Sequence, residues 1–186
     1  MDKIKQGMRR RLTRYGDDEF ALFLRKSFIK GLGYGDAALD KPVIGIINTA
    51  SDFNSCHGNV DELVQCAKAG VLAAGALPLA FPTISVHESF AYPTSMYLRN
   101  LMAMDTEEMM KALPLDGCIL IGGCDKTLPA QIMGALSARL PFVQLVSGPM
   151  LTGSFFGERV GACTDCRRLW AQYRAGDLDY AEIADA

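Results

Sequence analysis

DGCILIGGCDKTLPAQIMGALSARL, residues 116–140, decides the fold. Its opening eight residues form a short apolar run without polar alternation, the pattern of a strand buried on both faces. TLPAQIMGALSARL, residues 127–140, reads as a helix capped by Thr127, with Pro129 in the first turn, where a missing N–H is not needed. Between the two lie a glycine pair, Gly122 and Gly123, and then Cys124, Asp125 and Lys126. Strand, polar turn and helix make one unit of an α/β sheet, and the same order recurs on both sides.

Upstream, EFALFLRKSFIKGLG at 19–33 has apolar residues at helical spacing, acids Asp17 and Asp18 before it and glycines to stop it. KPVIGIINTA at 41–50 is a strand, VDELVQCAKAGVLAAGA at 60–76 a helix with acids in its first turn, and LPLAFPTISV at 77–86 a second strand. The prolines of that second strand predict an irregular course or an edge position. PTSMYLRNLMAM at 93–104 and DTEEMMKAL at 105–113 read as two helical segments, the second opened by Asp105 and Glu108 at capping-box spacing. Downstream, PFVQLVSGP at 141–149 is a fourth strand, and CRRLWAQYRAGDLDYAEIADA at 166–186 holds one helix, a turn at Gly176 and the start of another helix. Continuous apolar strands alternating with helices argue an α/β three-layer domain with a mainly parallel sheet flanked by helices. Residues 1–40 read as an N-terminal helical arm and 41–186 as the α/β domain.

In such sheets ligands sit outside the carboxyl ends of the strands. Three polar loops fall there: SDFNSCHG at 51–58, ISVHESFAYPTS at 84–95 and GGCDKT at 122–127.

With 186 residues, 49% of them hydrophobic, 22% charged, and a net charge of -2, the chain has the balance of a soluble globular domain. That balance offers no electrostatic case for nucleic acid, and the apolar runs are too short for the roughly 20 residues of a membrane span. The charged N-terminus lacks the apolar core of a secretory signal, so the expected location is cytoplasmic.

Cysteine chemistry is open at this level. The six cysteines are too sparse for a disulfide-stapled domain, which leaves thiols or metal ligands. Cys66, within a helix, and Cys118, within a strand, read as small apolar fillers. Cys56 and Cys124 each stand where a strand gives way to a loop, a rigid place for a thiolate bound to zinc or an iron–sulfur cluster. Glu88 and Asp125 are either solvated loop acids or hard oxygen ligands suited to Mg²⁺. Lys126 is either a surface amine or one whose pKa is lowered near cations, able to act as a base or to take up CO2 as a carbamate. Cys163 and Cys166 have the C-x-x-C spacing of redox and zinc sites, but no second pair accompanies them and the only histidines are His57 and His87. No G-x-G-x-x-G or Walker pattern supports nucleotide binding.

NTASDFNSCHGNVDELV, PTISVHESFAYPTSMYLRNLMAMDTEEM, GGCDKTLPAQIMGA and SGPMLTGSFFGERVGACTDCRRLW together resemble the dihydroxy-acid dehydratase and phosphogluconate dehydratase family. The PTSMYLRNLMAMD and GACTDCRR stretches resemble its sugar-acid branch, the pentonate dehydratases, more than its branched-chain amino-acid branch. The resemblance runs from about Lys41 to the end of the chain. It implies an iron–sulfur cluster, 2Fe–2S in preference to 4Fe–4S, held by three cysteines beside a Mg²⁺ ion. Cys56 and Cys124 match the first two cluster ligands, Glu88 and Asp125 match Mg²⁺ ligands, and Lys126 matches a lysine that is carbamylated in some members and then also binds the metal.

The resemblance further implies loss of water between C2 and C3 of an aldonate, giving a 2-keto-3-deoxy acid, in a homo-oligomer whose partner is the small sugar-acid substrate. No cysteine here matches the family's third cluster ligand, which is expected beyond residue 186 together with a C-terminal domain. On that reading the chain is an N-terminal portion, inactive in isolation. Two other expectations stand beside it: an inactive α/β module that associates with full-length subunits, and a dihydroxy-acid dehydratase of branched-chain amino-acid synthesis. A zinc or redox protein built on Cys163 and Cys166 is a further alternative.

Overall fold

Four parallel strands carry the molecule, and the reason is visible in their side chains. The computed structural model describes residues 6–148 and 152–184, with positions 162 and 163 described by backbone alone. Strands β1 (Val43–Asn48), β2 (Leu77–Pro82), β3 (Gly117–Gly122) and β4 (Phe142–Val146) are ordered β2-β1-β3-β4, every neighbouring pair parallel. On one face Val43 and Ile47 of β1 join Cys118 and Leu120 of β3, Leu77 and Phe81 of β2, and Met110, Leu115 and Leu140. On the other face Ile46 and Ile121 pack with Val60 and Val64. Both faces are covered, so the strands show no polar alternation.

The helices in chain order are α1 (Asp18–Gly31), α2 (Asp36–Leu39), α3 (Val60–Ala73), α4 (Ser95–Ala112), α5 (Thr127–Ala138), α6 (Ala162–Ala175) and α7 (Tyr180–Ala184). The Asp17 side chain accepts from the Phe20 amide at 2.8 Å and caps α1. Strand β2 takes an edge, where Pro78 and Pro82 disturb the ladder least. Glycine sets the distance between α4 and α5: a Cβ on Gly134 would lie 2.5 Å from the carbonyl oxygen of Ala103 and 2.8 Å from Thr106 Cβ. Residues ahead of Lys41 pack on the sheet, where Gly7 N–H and Val43 N–H both donate to Asp116 Oδ2 at 2.8 Å.

Two expectations about helix starts are corrected. Residues 95–112 are one helix rather than two segments, begun at Thr94, whose hydroxyl accepts from the Met96 amide at 3.3 Å. Nothing between Met104 and Asp105 breaks it, and the Asp105 carboxylate accepts instead from Ile84 N–H at 2.7 Å, tying down the loop after β2. Thr127 is not a cap. It is the first residue of α5, fully buried beside Gly122, and its hydroxyl has no partner among the described residues.

The chain divides into two compact units, Met1–Ser147 and Gly148–Ala186. In the second, β5 (Gly153–Phe155) and β6 (Glu158–Val160) form an antiparallel hairpin through Phe156 and Gly157, both at positive φ. Gly176, at φ 84°, ends α6 as the sequence predicts, and Asp179 and Glu182 exchange side-chain-to-amide bonds at 2.7 and 2.8 Å at the start of α7. Among the described residues no helix is long and apolar enough to cross a membrane.

Candidate metal centre

The order β2-β1-β3-β4 sends the chain to one side of the sheet after β1 and to the other side after β3. The loops beyond these adjacent strands therefore part, and the crevice so formed is where open α/β sheets bind their ligands.

Buried polar side chains fix the walls of that crevice. Thr49 Oγ1 donates to the Ile121 carbonyl at 2.9 Å, joining the ends of β1 and β3 past the last ladder pair. His57 lies in the single turn Ser55–His57 and is 1% exposed. Its Nε2 accepts from Gly123 N–H at 2.8 Å, which puts the ring proton on Nδ1, 2.7 Å from the Thr49 carbonyl. Asn54 Nδ2 donates to the Val86 carbonyl at 3.2 Å, bringing in the loop after β2. Ser147, just past β4, donates to the Cys56 carbonyl at 2.9 Å, and its own carbonyl accepts from Asn59 Nδ2 at 3.0 Å. Each bond satisfies a group that burial would otherwise penalise, and together the bonds tie the loops after β1, β2, β3 and β4 to one another.

On this scaffold the sulfurs of Cys56 and Cys124 and a ring nitrogen of His87 lie within 4.8 Å of one another, all three residues half-buried. Cys124 has φ 65°, the left-handed region that residues with a Cβ seldom occupy. Its thiol donates to Asn54 Oδ1 at 3.6 Å. A strained cysteine aimed at a second cysteine is the kind of outlier that points to a site.

Hard groups stand next to these soft ones. Lys126 Nζ lies 3.1 Å from Asp125 Oδ2 and 3.4 Å from Glu88 Oε2. Glu88 also accepts from Thr94 Oγ1 at 2.8 Å, from Ser95 N–H at 3.1 Å and from the Ser95 hydroxyl. The Ser95 and Thr94 hydroxyls, with a smaller contribution from Lys126, hold the Glu88 carboxyl down at about 2. The Asp125 carboxylate, and Glu88 after it, push the Lys126 ammonium above its ordinary value. In this arrangement the lysine is protonated, the opposite of an amine lowered by neighbouring cations.

Cys56, Glu88, Cys124, Asp125 and Lys126, named from the sequence, thus come to one rim from three strand ends. Cys118 is buried as expected, but Cys66 is exposed on α3 rather than packed as an apolar filler. Cys166 is exposed as well, and the side chain of Cys163 lies outside the described residues. Sequence reasoning missed His57 as the pin of two loops and His87 as a neighbour of the thiols. For His87 the signal was its place beside Glu88 in the loop after β2.

Comparison with known proteins gives the same region a lineage. The family model described as dihydroxy-acid/6-phosphogluconate dehydratase N-terminal matches residues 41–186. The chain is 42% identical over 173 residues to L-arabinonate dehydratase of Rhizobium leguminosarum bv. trifolii, covering 92% of this chain and 30% of that protein. It is 39% identical over 166 residues to 6-deoxy-6-sulfo-D-gluconate dehydratase of Pseudomonas putida, covering 89% and 29%. It is 37% identical over 173 residues to L-arabonate dehydratase of Azospirillum brasilense, covering 92% and 30%. The chain thus spans about 30% of the length of the curated relatives it matches.

Proposed function

The chain belongs to the dihydroxy-acid/6-phosphogluconate dehydratase N-terminal family, and on that footing we propose that it carries the metal-binding part of a hydro-lyase acting on a sugar acid. The reaction is loss of water across C2 and C3 of an aldonate, leaving a 2-keto-3-deoxy acid. One observation carries the reading: side chains from three strand ends meet in one crevice as two thiols beside a carboxylate, lysine, carboxylate group. The sugar-acid substrate is supported by the relatives, which are dehydratases of arabinonate and of a sulfogluconate.

The donor set fits two different inorganic groups. Cys56 and Cys124 would hold the soft one, an iron–sulfur cluster of 2Fe–2S type, and Glu88 and Asp125 the hard one, Mg²⁺, joined by Lys126 once it is a carbamate. Bound there, such centres supply Lewis acidity, which eases removal of a proton next to a carboxylate and departure of a hydroxyl. The protein's own part is to hold and to exclude. The Ser95 and Thr94 hydroxyls keep Glu88 ionised and oriented, so it stays available as an oxygen donor well below neutral pH. Lys126 holds Glu88 and Asp125 together as an ammonium, and once deprotonated its amine can serve as base or add CO2 as a carbamate. Phe53 and Phe90, with ring centroids 5.7 Å apart and Phe90 6.0 Å from His87, form an apolar margin to the crevice.

Anaerobic reconstitution with iron and sulfide, followed by an absorption spectrum and an assay for 2-keto acid from a panel of aldonates, tests this reading. The expected result is a thiolate-to-iron spectrum that is lost in Cys56→Ser and in Cys124→Ser. Iron uptake unchanged in both variants would remove the reading. Turnover is assayed in the 186-residue chain and in any longer product of the same reading frame.

A further inference from the structure

We infer that the apolar cavity between α1, residues 8–15 and the segment leading into β3 binds an amphipathic monocarboxylate, an apolar body ending in one carboxylate, with Arg25 as its anchor. The cavity has a volume of about 520 Å³, within the range of roughly 300–1,000 Å³ typical of small-molecule sites. Met8, Leu24, Ile29, Leu79, Leu113 and Pro114 supply apolar walls. Tyr15 and Phe28 also line it and are 72% and 74% exposed, so it opens to solvent beside two aromatic rings. It is separate from the metal centre: Leu113 and Pro114 come before β3, whereas the Cys124 loop follows that strand.

Walls of this kind would take any hydrophobe, and Arg25 narrows the class. Its Nη1 donates to the Met8 carbonyl at 3.0 Å and to the Arg10 carbonyl at 2.6 Å, and its Nη2 donates to the Arg11 carbonyl. A guanidinium has five N–H donors, so these three bonds leave Nε and one Nη2 hydrogen without a partner among the described residues. The carbonyls satisfy hydrogens and leave the charge in place. Burial lowers the Arg25 guanidinium from its ordinary value, and no carboxylate opposes that shift. A half-buried cation among apolar side chains, with no counter-ion, favours an anion that brings its own apolar surface.

The number of donors sets the charge of that anion. Two N–H groups on one guanidinium match the two oxygens of one carboxylate. A doubly charged phosphate calls for further cations, and the nearest arginines in sequence are engaged elsewhere. Arg10 bonds Asp116 at 3.3 Å, and Arg11 bonds the carbonyls of Met110 and Lys111. The ligand is therefore a medium-chain carboxylate or one of similar size and polarity.

The inference does not depend on the dehydratase reading, since its test contains neither metal nor turnover. The reduced, metal-free 186-residue chain is titrated with octanoate and, separately, with 1-octanol as the neutral analogue, by calorimetry and by amide chemical shifts. The expected result is one octanoate per chain, bound about tenfold more tightly than octanol, the worth of a hydrogen-bonded charge. The shifts should fall on Ala21, Arg25, Phe28 and Ala112. Arg25→Met should bring octanoate down to the affinity of octanol, and Arg25→Lys should keep part of the preference. Because Arg25 also holds residues 8–11, Ala112→Phe serves as a second variant: it fills the cavity from an exposed lining position that makes none of those bonds, and should exclude both ligands. Circular dichroism checks that each variant keeps the fold. No saturable octanoate uptake, equal affinity for octanoate and octanol, or shifts centred on Gly123 and Lys126 would each overturn the site. So would sedimentation showing a dimer that Ala112→Phe dissociates, since a second copy would then fill the cavity.

Discussion

His57 Nε2 accepts the Gly123 amide hydrogen at 2.8 Å across 66 residues of sequence, while its Nδ1 is 2.7 Å from the Thr49 carbonyl. One imidazole therefore holds the loop after β1 against the loop after β3, and the two cysteines ride on those loops. His57→Ala leaves a buried amide and a buried carbonyl without partners, a loss of about 1–3 kcal/mol. Urea unfolding should show that loss, and iron uptake on anaerobic reconstitution should fall although no proposed ligand has been removed. Unchanged unfolding would mean that the loops are held by something else.

The backbone at Cys124 separates strain from chemistry. At φ 65° a glycine is at ease and a cysteine is not, so Cys124→Gly should match or exceed the native stability, and exceed Cys124→Ala by about 1 kcal/mol. Both variants should lose thiolate-to-metal absorption. The comparison is made by thermal and urea unfolding of the two variants side by side. Equal stability of glycine and alanine would show that the conformation carries no penalty.

Two helical glycines should respond in opposite directions. Gly134→Ala drives a methyl to 2.5 Å from the Ala103 carbonyl and should destabilise by about 1–3 kcal/mol, as α4 and α5 are forced apart. Gly70→Ala, in α3 with nothing within 4 Å, should stabilise by about 0.5–1 kcal/mol through helix propensity alone. Denaturant midpoints read both.

Burial in β3 pushes the Cys118 thiol up from 9.0 to about 12. A group whose folded value is raised favours folding fully below its unfolded value, and that contribution is lost as pH rises. Stability should therefore decline above about pH 9, where the unfolded thiol ionises and the folded one does not. Cys118→Ala should flatten that decline. At pH 8 a thiol reagent should modify the exposed Cys66 and Cys166 in the native chain and reach Cys118 only on unfolding.

The parallel sheet was legible because its strands are unbroken apolar runs, and the edge position of β2 because of Pro78 and Pro82. Helix starts were harder, since a cap is defined by where its oxygen finds an amide. Asp105 has the spacing of a cap, yet Ile84 lies within its reach and the helix runs through it. Thr127 has the chemistry of a cap, yet the closeness of β3 to α5 at Gly122 turns it inward. The hairpin at 153–160 has Phe156 where a turn usually shows asparagine or glycine, so composition did not announce it. At the site, Cys56, Glu88, Cys124, Asp125 and Lys126 could be named from their place at strand ends. The proximity of His87 to the thiols depends on how the loop after β2 folds back, which Asp105 and Asn54 decide through contacts distant in sequence.

The crossing of the chain from one side of the sheet to the other has a consequence for the order of events at birth. The donors around Cys56 cannot meet those around Cys124 until β1 and β3 are side by side, and a ribosome delivers β3 last of the three strands concerned. Contacts this remote in sequence form late and slowly. Unlike a small finger that metal folds around itself, this chain must finish its sheet first, and loading of the proposed metal centre would be a maturation step on an already folded protein.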